Sequence, residues 1–264
     1  MRTIAVINLK GGVGKTTTVI NLAAILAKRV HDVLVIDADP QANATTFFGL
    51  DPAKCNTLAD MMEGRENDPY QLIYPTRHVE SIRISIVPAG IDLINCDIAS
   101  IRTGGRVKVI RDLLDALQAD AECEGAEAFD YVLIDCPPSF TAASVAAIYA
   151  ADDIIIPVEM DAFGLGGLAQ LLAQIESVRS IQPRIRVAGA LITKWHNSPA
   201  VIQGEAALRS SAVPCFKTVI RRSEKVTEAG FKGLSLDAYS FRSSAGMDYR
   251  QLVDEYLEGV PDNG

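Results

Sequence analysis

Three glycines at positions 11, 12 and 14 lie between a short apolar run, Thr3 to Asn8, and the pair Lys15-Thr16. Glycine lets a backbone turn sharply with several N–H groups aimed inward, as a bound anion requires. A helix opening at Lys15 would add the positive end of its dipole. A lysine placed there reaches the β- and γ-phosphates of a nucleoside triphosphate, and the Thr16 hydroxyl can ligate Mg²⁺. Lys10-Gly11-Gly12-Val13-Gly14-Lys15-Thr16-Thr17 is therefore read as a phosphate-binding loop. The ordinary motif wants glycine where Leu9 stands; this chain lacks it and carries Lys10 beside that position.

Carboxylates follow where such a loop needs them. Leu34-Val35-Ile36 ends in Asp37, and Asp39 comes two residues later. Alternate residues share a face if the strand continues, and ligands of open parallel sheets bind at the carboxyl ends of strands. Asp130 to Ile134 leads into Asp135, which could hold a Mg²⁺-bound water. An apolar run ending in Asp says little by itself; beside a glycine loop it gains meaning. The plain alternatives are turn aspartates and a solvated lysine in a glycine-rich turn.

Positioning these groups demands strands that end at one edge. Thr3–Asn8, Asp32–Ile36, Ile82–Val87, Tyr131–Ile134, Ile154–Val158, Val187–Ile192 and Phe216–Ile220 read as strands. Lys15–Arg29, Leu58–Glu63, Val107–Gln118, Gly166–Ser180, Glu224–Ala229 and Ser244–Leu257 read as helices. Alternating apolar strands and helices predict an α/β fold, a three-layer α/β/α P-loop NTPase with a mainly parallel twisted sheet. One domain is expected over 1–264, with an irregular excursion at 49–80, an acidic loop at Ala119–Ala128 and a frayed tail at 260–264.

Bulk properties narrow the class. Hydrophobic residues make up 48% of the 264, enough for a large core. No apolar run of about 18 residues occurs, as a membrane-spanning helix would need. The N-terminus does not read as a secretory signal, so a cytoplasmic protein is expected. Cys55, Cys96, Cys123, Cys136 and Cys215 form no CxxC pair, which disfavours disulfides, zinc and iron–sulfur sites. A net charge of −8 argues against nucleic-acid binding unless cations cluster locally.

Asn8 to Thr17 resembles the deviant Walker motif KGGxGK[ST] of the ParA/MinD family of P-loop ATPases. The likeness runs from about Thr3 to Leu257 and is greatest to the ParA/Soj branch. Asp37 to Thr45 resembles DxDPQGNAT, with Ala42 for the glycine, and Asp135 to Pro138 shares the DxPP continuation. Pro157 to Leu168 resembles PVxxEYYALEGL, departing at Asp161, Ala162, Phe163 and Gly166. Phe216 to Ser223 resembles FKTVIPRN, with Arg221 for the proline, and Glu228-Ala229-Gly230 stands where the family has SEAP.

The resemblance implies ATP and Mg²⁺ as cofactors and a homodimer formed with ATP. Lys10 would reach the partner's phosphates as an arginine finger does. Lys15 and Asp39 would complete the catalytic set, with Asp39 positioning the attacking water. Thr16, Asp37 and Asp135 would organise the metal. It further implies a slow ATPase that binds DNA non-specifically and associates with the nucleoid. A ParB-like centromere-binding adaptor would stimulate it to segregate a plasmid or chromosome. The DNA contacts would fall on Arg221, Arg222, Lys225, Lys232, Arg242 and Arg250, with Lys194 and Arg209 as extensions; the plain reading is solvated surface charge. Alternatives are a ParA-type ATPase positioning a protein cargo, a MinD-like membrane-associated ATPase and a metabolic synthase. The acidic polar face of the C-terminal helix disfavours anionic membrane, so no membrane partner is expected.

Overall fold

The computed structural model describes residues 1–76, 83–97, 107–124, 128–161 and 164–259. Its sheet has seven strands: β1 (Arg2–Val6), β2 (Val33–Asp37), β3 (Tyr74–Pro75), β4 (Ile84–Val87), β5 (Tyr131–Asp135), β6 (Asp153–Glu159) and β7 (Arg186–Thr193). They lie in the order β3-β4-β2-β5-β1-β6-β7. Every pairing is parallel except that of the two-residue edge strand β3 with β4. Ile4, Val35, Leu133 and Ile155 are buried in one core cluster and Ala5, Leu34, Ile134 and Ile154 in the other, as expected of strands covered on both faces.

Register does the positioning. Asp37 pairs with Asp135 across β2 and β5, and Val6 pairs with Asp135 across β1 and β5. The two carboxylates and the chain leaving β1 thus meet at one edge. From there α1 (Lys15–Lys28) runs back across the sheet.

Further helices are α2 (Asn43–Phe47), α3 (Leu58–Glu63), α4 (Val109–Glu124), α5 (Ala142–Ala150), α6 (Gly164–Arg179), α7 (Pro199–Arg209), α8 (Glu224–Lys232), α9 (Leu236–Ser240) and α10 (Ser244–Glu258). No helix among the described residues is long and apolar enough to cross a membrane. On α10, Tyr249, Leu252, Val253 and Tyr256 are buried. The Tyr249 hydroxyl meets Thr18 Oγ1 of α1 at 3.2 Å, so α10 packs on the phosphate-loop helix.

Two expectations need correcting. Phe216–Ile220 is not a regular strand: Phe216 N and Ile220 N donate to the Ala190 and Ile192 carbonyls of β7, and isolated bridges at Cys215 and Arg221 flank the stretch, but no continuous ladder joins it to that edge. The Glu255 carboxylate accepts from Lys217 N at 2.6 Å and Thr218 N at 2.9 Å, which takes the donors a strand would use. The acidic stretch from Ala119 is helical through Glu124, because α4 continues across it. Residues 125–127, the end of the excursion at 77–80 and the tail at 260–264 lie outside the described residues.

At the opposite edge of the sheet Asp153 is fully buried and fully bonded. It accepts from Arg2 Nε at 2.7 Å, Arg186 Nε at 2.6 Å and the Tyr256 hydroxyl at 2.6 Å. Burial opposes its charge, yet the bonds from Arg186, Arg2 and Tyr256 outweigh burial and hold its pKa below the ordinary carboxylate range. A depressed folded pKa means stability that is present above the unfolded value, near 3.9, and lost as pH falls through the folded one. Asp153→Asn is expected to cost about 3–5 kcal/mol at pH 7. Thermal melts from pH 7 to pH 3 should show the deficit shrinking below about pH 4, as the native carboxylate also protonates.

Candidate functional site

The glycine loop leaves β1 and is strapped to two neighbouring strands. Asn8 Nδ2 donates to the Pro157 carbonyl of β6 at 2.7 Å, while Asn8 Oδ1 accepts from Lys10 N at 3.0 Å. Thr193 Oγ1 of β7 donates to the Val13 carbonyl at 2.8 Å. Gly12 and Gly14 have φ of +73° and +89°, values that side chains disfavour. Space is also open there: a Cβ on either would meet nothing within 4 Å. Such a loop presents backbone N–H groups to an open cradle at a helix N-terminus.

The two loop lysines differ in setting. Lys15 is buried and its ammonium donates to the Lys10 carbonyl at 3.0 Å. Burial lowers its pKa, against the pull of Asp135, Cys136 and Asp39. Lys10 keeps 34% of its side-chain exposure and is ion-paired at the rim with Asp161. No sequence pattern pairs residues 10 and 161; they meet because the chains leaving β1 and β6, paired in parallel, exit the sheet side by side.

The three aspartates divide by partner. Asp37 Oδ2 accepts from Thr45 N at 2.8 Å and Thr45 Oγ1 at 2.7 Å, and Oδ1 accepts from Asp39 N at 3.1 Å. Burial raises its pKa to about 6 against those bonds. It therefore fixes the turn that carries Asp39. Asp39 is buried, with Oδ1 accepting from Gln41 N at 2.9 Å. Asp135 has no exposure, and neither carboxylate oxygen has a partner in hydrogen-bonding geometry among the described residues. Burial pushes its pKa well above the usual range, helped by Asp37 and Asp39 and opposed by the Thr16 hydroxyl and Lys15.

An orphaned buried carboxylate is costly unless something absent from the bare chain donates to it. No group of three or more His, Cys, Asp or Glu side chains able to hold a metal occurs among the described residues. Thr16 and Asp135 alone suit a hard cation that keeps most of its waters and shares phosphate oxygens.

Beside the loop lies a cavity of about 350 Å³, the size of a small-molecule site. Gly12, Thr17, Thr193, Arg221, Ser223 and Tyr249 are among its lining residues. Sequence reading reached the loop but not Thr45, Thr193 or Tyr249. Thr45 closes the Asp37–Thr45 stretch, which by itself gives it no role, and Thr193 and Tyr249 carry no motif of their own.

The predicted DNA contacts fall into two groups. Arg221 is bound to Asp248, Lys225 to Glu228, and Arg250 to Asp237. Of the proposed extensions, Lys194 pairs with Glu159 and Arg209 with Glu205. Arg222, Lys232 and Arg242 are exposed and have no carboxylate within ion-pair distance among the described residues. Arg222 also lines the cavity, and Arg242 stacks over the Phe241 ring at 5.1 Å.

A glycine loop joining the first strand to a helix, with carboxylates ending the adjacent parallel strands, defines a P-loop nucleotide-binding protein. The family model described as an AAA domain matches residues 1–187. The chromosome partitioning protein ParA of Caulobacter vibrioides is 34% identical over 97% of this chain and 94% of its own length. The chromosome-partitioning ATPase Soj of Thermus thermophilus is 34% identical over 98% and 97%. Among solved structures, cobyrinic acid a,c-diamide synthase from Mycobacterium smegmatis, with bound ATP analog and magnesium, superposes with a TM-score of 0.80. It is 27% identical and the match covers 98% of this chain and 95% of that one. The chain belongs to the ParA/Soj family of P-loop ATPases.

Asp135→Asn replaces a buried carboxyl group whose oxygens have no partner in hydrogen-bonding geometry among the described residues. The variant is expected to melt higher than the native chain without nucleotide or metal, by about 1–3 kcal/mol of stability. It should also lose most of the stabilisation that Mg²⁺ with ATP gives the native chain. A native-like gain on adding Mg²⁺ and ATP would remove Asp135 from the site.

Proposed function

We propose that this chain is a partition switch: it binds ATP with Mg²⁺, closes as a two-fold dimer, holds DNA without reading sequence, and hydrolyses ATP slowly until a ParB-like adaptor stimulates it. The observation that carries this reading is the pair of lysines on one loop. A buried Lys15 suffices for the phosphates of its own loop. Lys10, on the rim and paired there with the half-exposed Asp161, suits phosphates presented by a second copy once it exchanges that partner, where a positive charge stabilises the transferring group. Full-length similarity to ParA and Soj proteins supports the partition role.

Within this reading each residue has a task. The Gly11–Thr17 backbone cradles the phosphates, and the cavity beside it takes the base and ribose. Thr16 and Asp135 hold Mg²⁺ and its waters, as their donor set allows. When bound, Mg²⁺ neutralises charge on the β- and γ-phosphates. Asp39, fixed by Asp37, orients the attacking water. Loose phosphoryl transfer needs such positioning more than a strong base.

For DNA, the free cations matter most. Lys232 and Arg242 are exposed, unpaired with carboxylates among the described residues, and outside the cavity lining. A dimer doubles them, which offsets the unfavourable net charge of −8 locally. The likeness to the Mycobacterium smegmatis synthase favours a second reading, ATP-dependent amide synthesis on a small acid.

Binding to a long non-specific duplex, measured with Mg²⁺ plus ATP, ADP or no nucleotide across a salt series, separates the two. ATP-dependent binding with a log–log salt slope of about −4 or steeper is expected. Lys232→Ala and Arg242→Ala should each flatten that slope by about 2, counting both copies. Indifference to DNA in every nucleotide state at low salt would refute the switch and favour the synthase.

Gly12→Val tests the dimer. A Cβ there meets nothing within the protomer, so the side chain should obstruct a second copy, at a local backbone cost of about 1–2 kcal/mol; because Gly12 also lines the cavity, monomeric ATP binding is measured alongside and should stay near native. Sedimentation should show a monomer with ATP; an unchanged ATP-dependent dimer would exclude Gly12 from that face.

A further inference from the structure

Arg221 stands where FKTVIPRN carries proline, in a wall of the cavity beside the phosphate loop. The exchange has a physical consequence. Proline brings no backbone N–H, whereas arginine brings one and a charged guanidinium as well.

One carboxylate answers both. Asp248, on α10, is buried. Its Oδ2 accepts from Arg221 N at 2.9 Å and Nε at 3.0 Å, and its Oδ1 accepts from Nη2 at 2.6 Å and Nε at 3.1 Å. Nη2 also donates to the Ser244 carbonyl at 3.3 Å. A forked pair of this kind fixes orientation as well as distance. On its other side the wall hangs on the exit of β7: Trp195 N donates to the Ile220 carbonyl at 2.9 Å, and Arg222 N donates to the Trp195 carbonyl at 2.8 Å. Between these two attachments the segment has no regular strand to stiffen it. Asp248 itself is absent from the lining; Arg221, Arg222, Ser223 and its neighbour Tyr249 form it.

We propose that Asp248 is the positioning residue for nucleoside recognition: by clamping Arg221 it sets the wall against which the base and ribose lie. Asp248 thereby governs affinity for the nucleoside part and the choice of base, while the phosphate loop governs affinity for the triphosphate chain. This inference rests on the reading of the cavity as the nucleoside site.

The test is equilibrium binding of ATP, GTP and inorganic tripolyphosphate, each with Mg²⁺, to the full chain and three variants. Native protein should prefer ATP to both competitors. Asp248→Ala should weaken ATP about tenfold or more and bring ATP and GTP close together. Tripolyphosphate, which touches only the loop, should stay within about twofold, which also reports a folded site. Arg221→Pro alone strands the buried Asp248 carboxylate and should weaken ATP as Asp248→Ala does, with tripolyphosphate again within about twofold. Arg221→Pro with Asp248→Ala should recover ATP affinity to within about threefold, since removing both members of a buried pair leaves no uncompensated charge. A merely structural Asp248 would not be rescued by proline at 221. If Asp248→Ala fails to bind tripolyphosphate, Asp248→Asn takes its place and faces the same comparisons.

An unchanged preference of ATP over tripolyphosphate in Asp248→Ala would overturn the proposal and leave the cavity reading intact. So would failure of proline to restore that preference. If native protein binds tripolyphosphate as tightly as ATP, the cavity reading fails and the proposal with it.

Discussion

Parallel pairing of β1, β2 and β5 in one register is the constraint on which the rest depends. It sets Val6, Asp37 and Asp135 side by side and makes all three chains leave the sheet at the same edge. The glycine loop then has nowhere to turn except across the ends of its neighbours. Asn8 and Thr193 complete the placement by tying the loop to β6 and β7. A slip of one residue in β5 would move Asp135 to the other face of the sheet.

Two fully buried aspartates at opposite edges show what this arrangement costs. Asp153 has three charge-compensating donors and serves stability. Asp135 has none in hydrogen-bonding geometry among the described residues, and its neighbours Asp37 and Asp39 add repulsion. Functional sites are where such local rules are broken. The hydrogen bonds around Asp37 and the Asp153 cluster keep the fold intact around that unsatisfied group.

The C-terminal helix α10 acts as a strap rather than a tail. Its carboxylates hold the irregular 217–221 segment through Glu255 and Asp248, and its tyrosines reach Thr18 and Asp153. The phosphate-loop helix, the cavity wall and the far edge of the sheet are therefore mechanically joined. Many cations of this region neutralise local carboxylates, whereas Arg222, Lys232 and Arg242 have no carboxylate within ion-pair distance among the described residues.

The phosphate loop was legible in the sequence because its chemistry is contiguous: glycines, lysine and threonine must be adjacent to wrap one anion. Apolar runs ending in Asp37 and Asp135 were legible for a similar reason, since a buried parallel strand is local in pattern. Helices α5 and α7 left weaker signs, Thr141 and Ser198-Pro199, which are helix-starting residues that do not mark length. Phe216–Ile220 misled because its apolar content suits a strand, while Glu255, distant in sequence, claims the N–H groups of Lys217 and Thr218 in its middle. The split among the cations was beyond sequence altogether. Lys10 with Asp161, Arg221 with Asp248 and Arg250 with Asp237 are partners chosen by packing. By itself the sequence determined which residues could bind phosphate. Tertiary structure decided how these charges are paired within the protomer, because the counter-charge of each comes from a part of the chain distant in sequence.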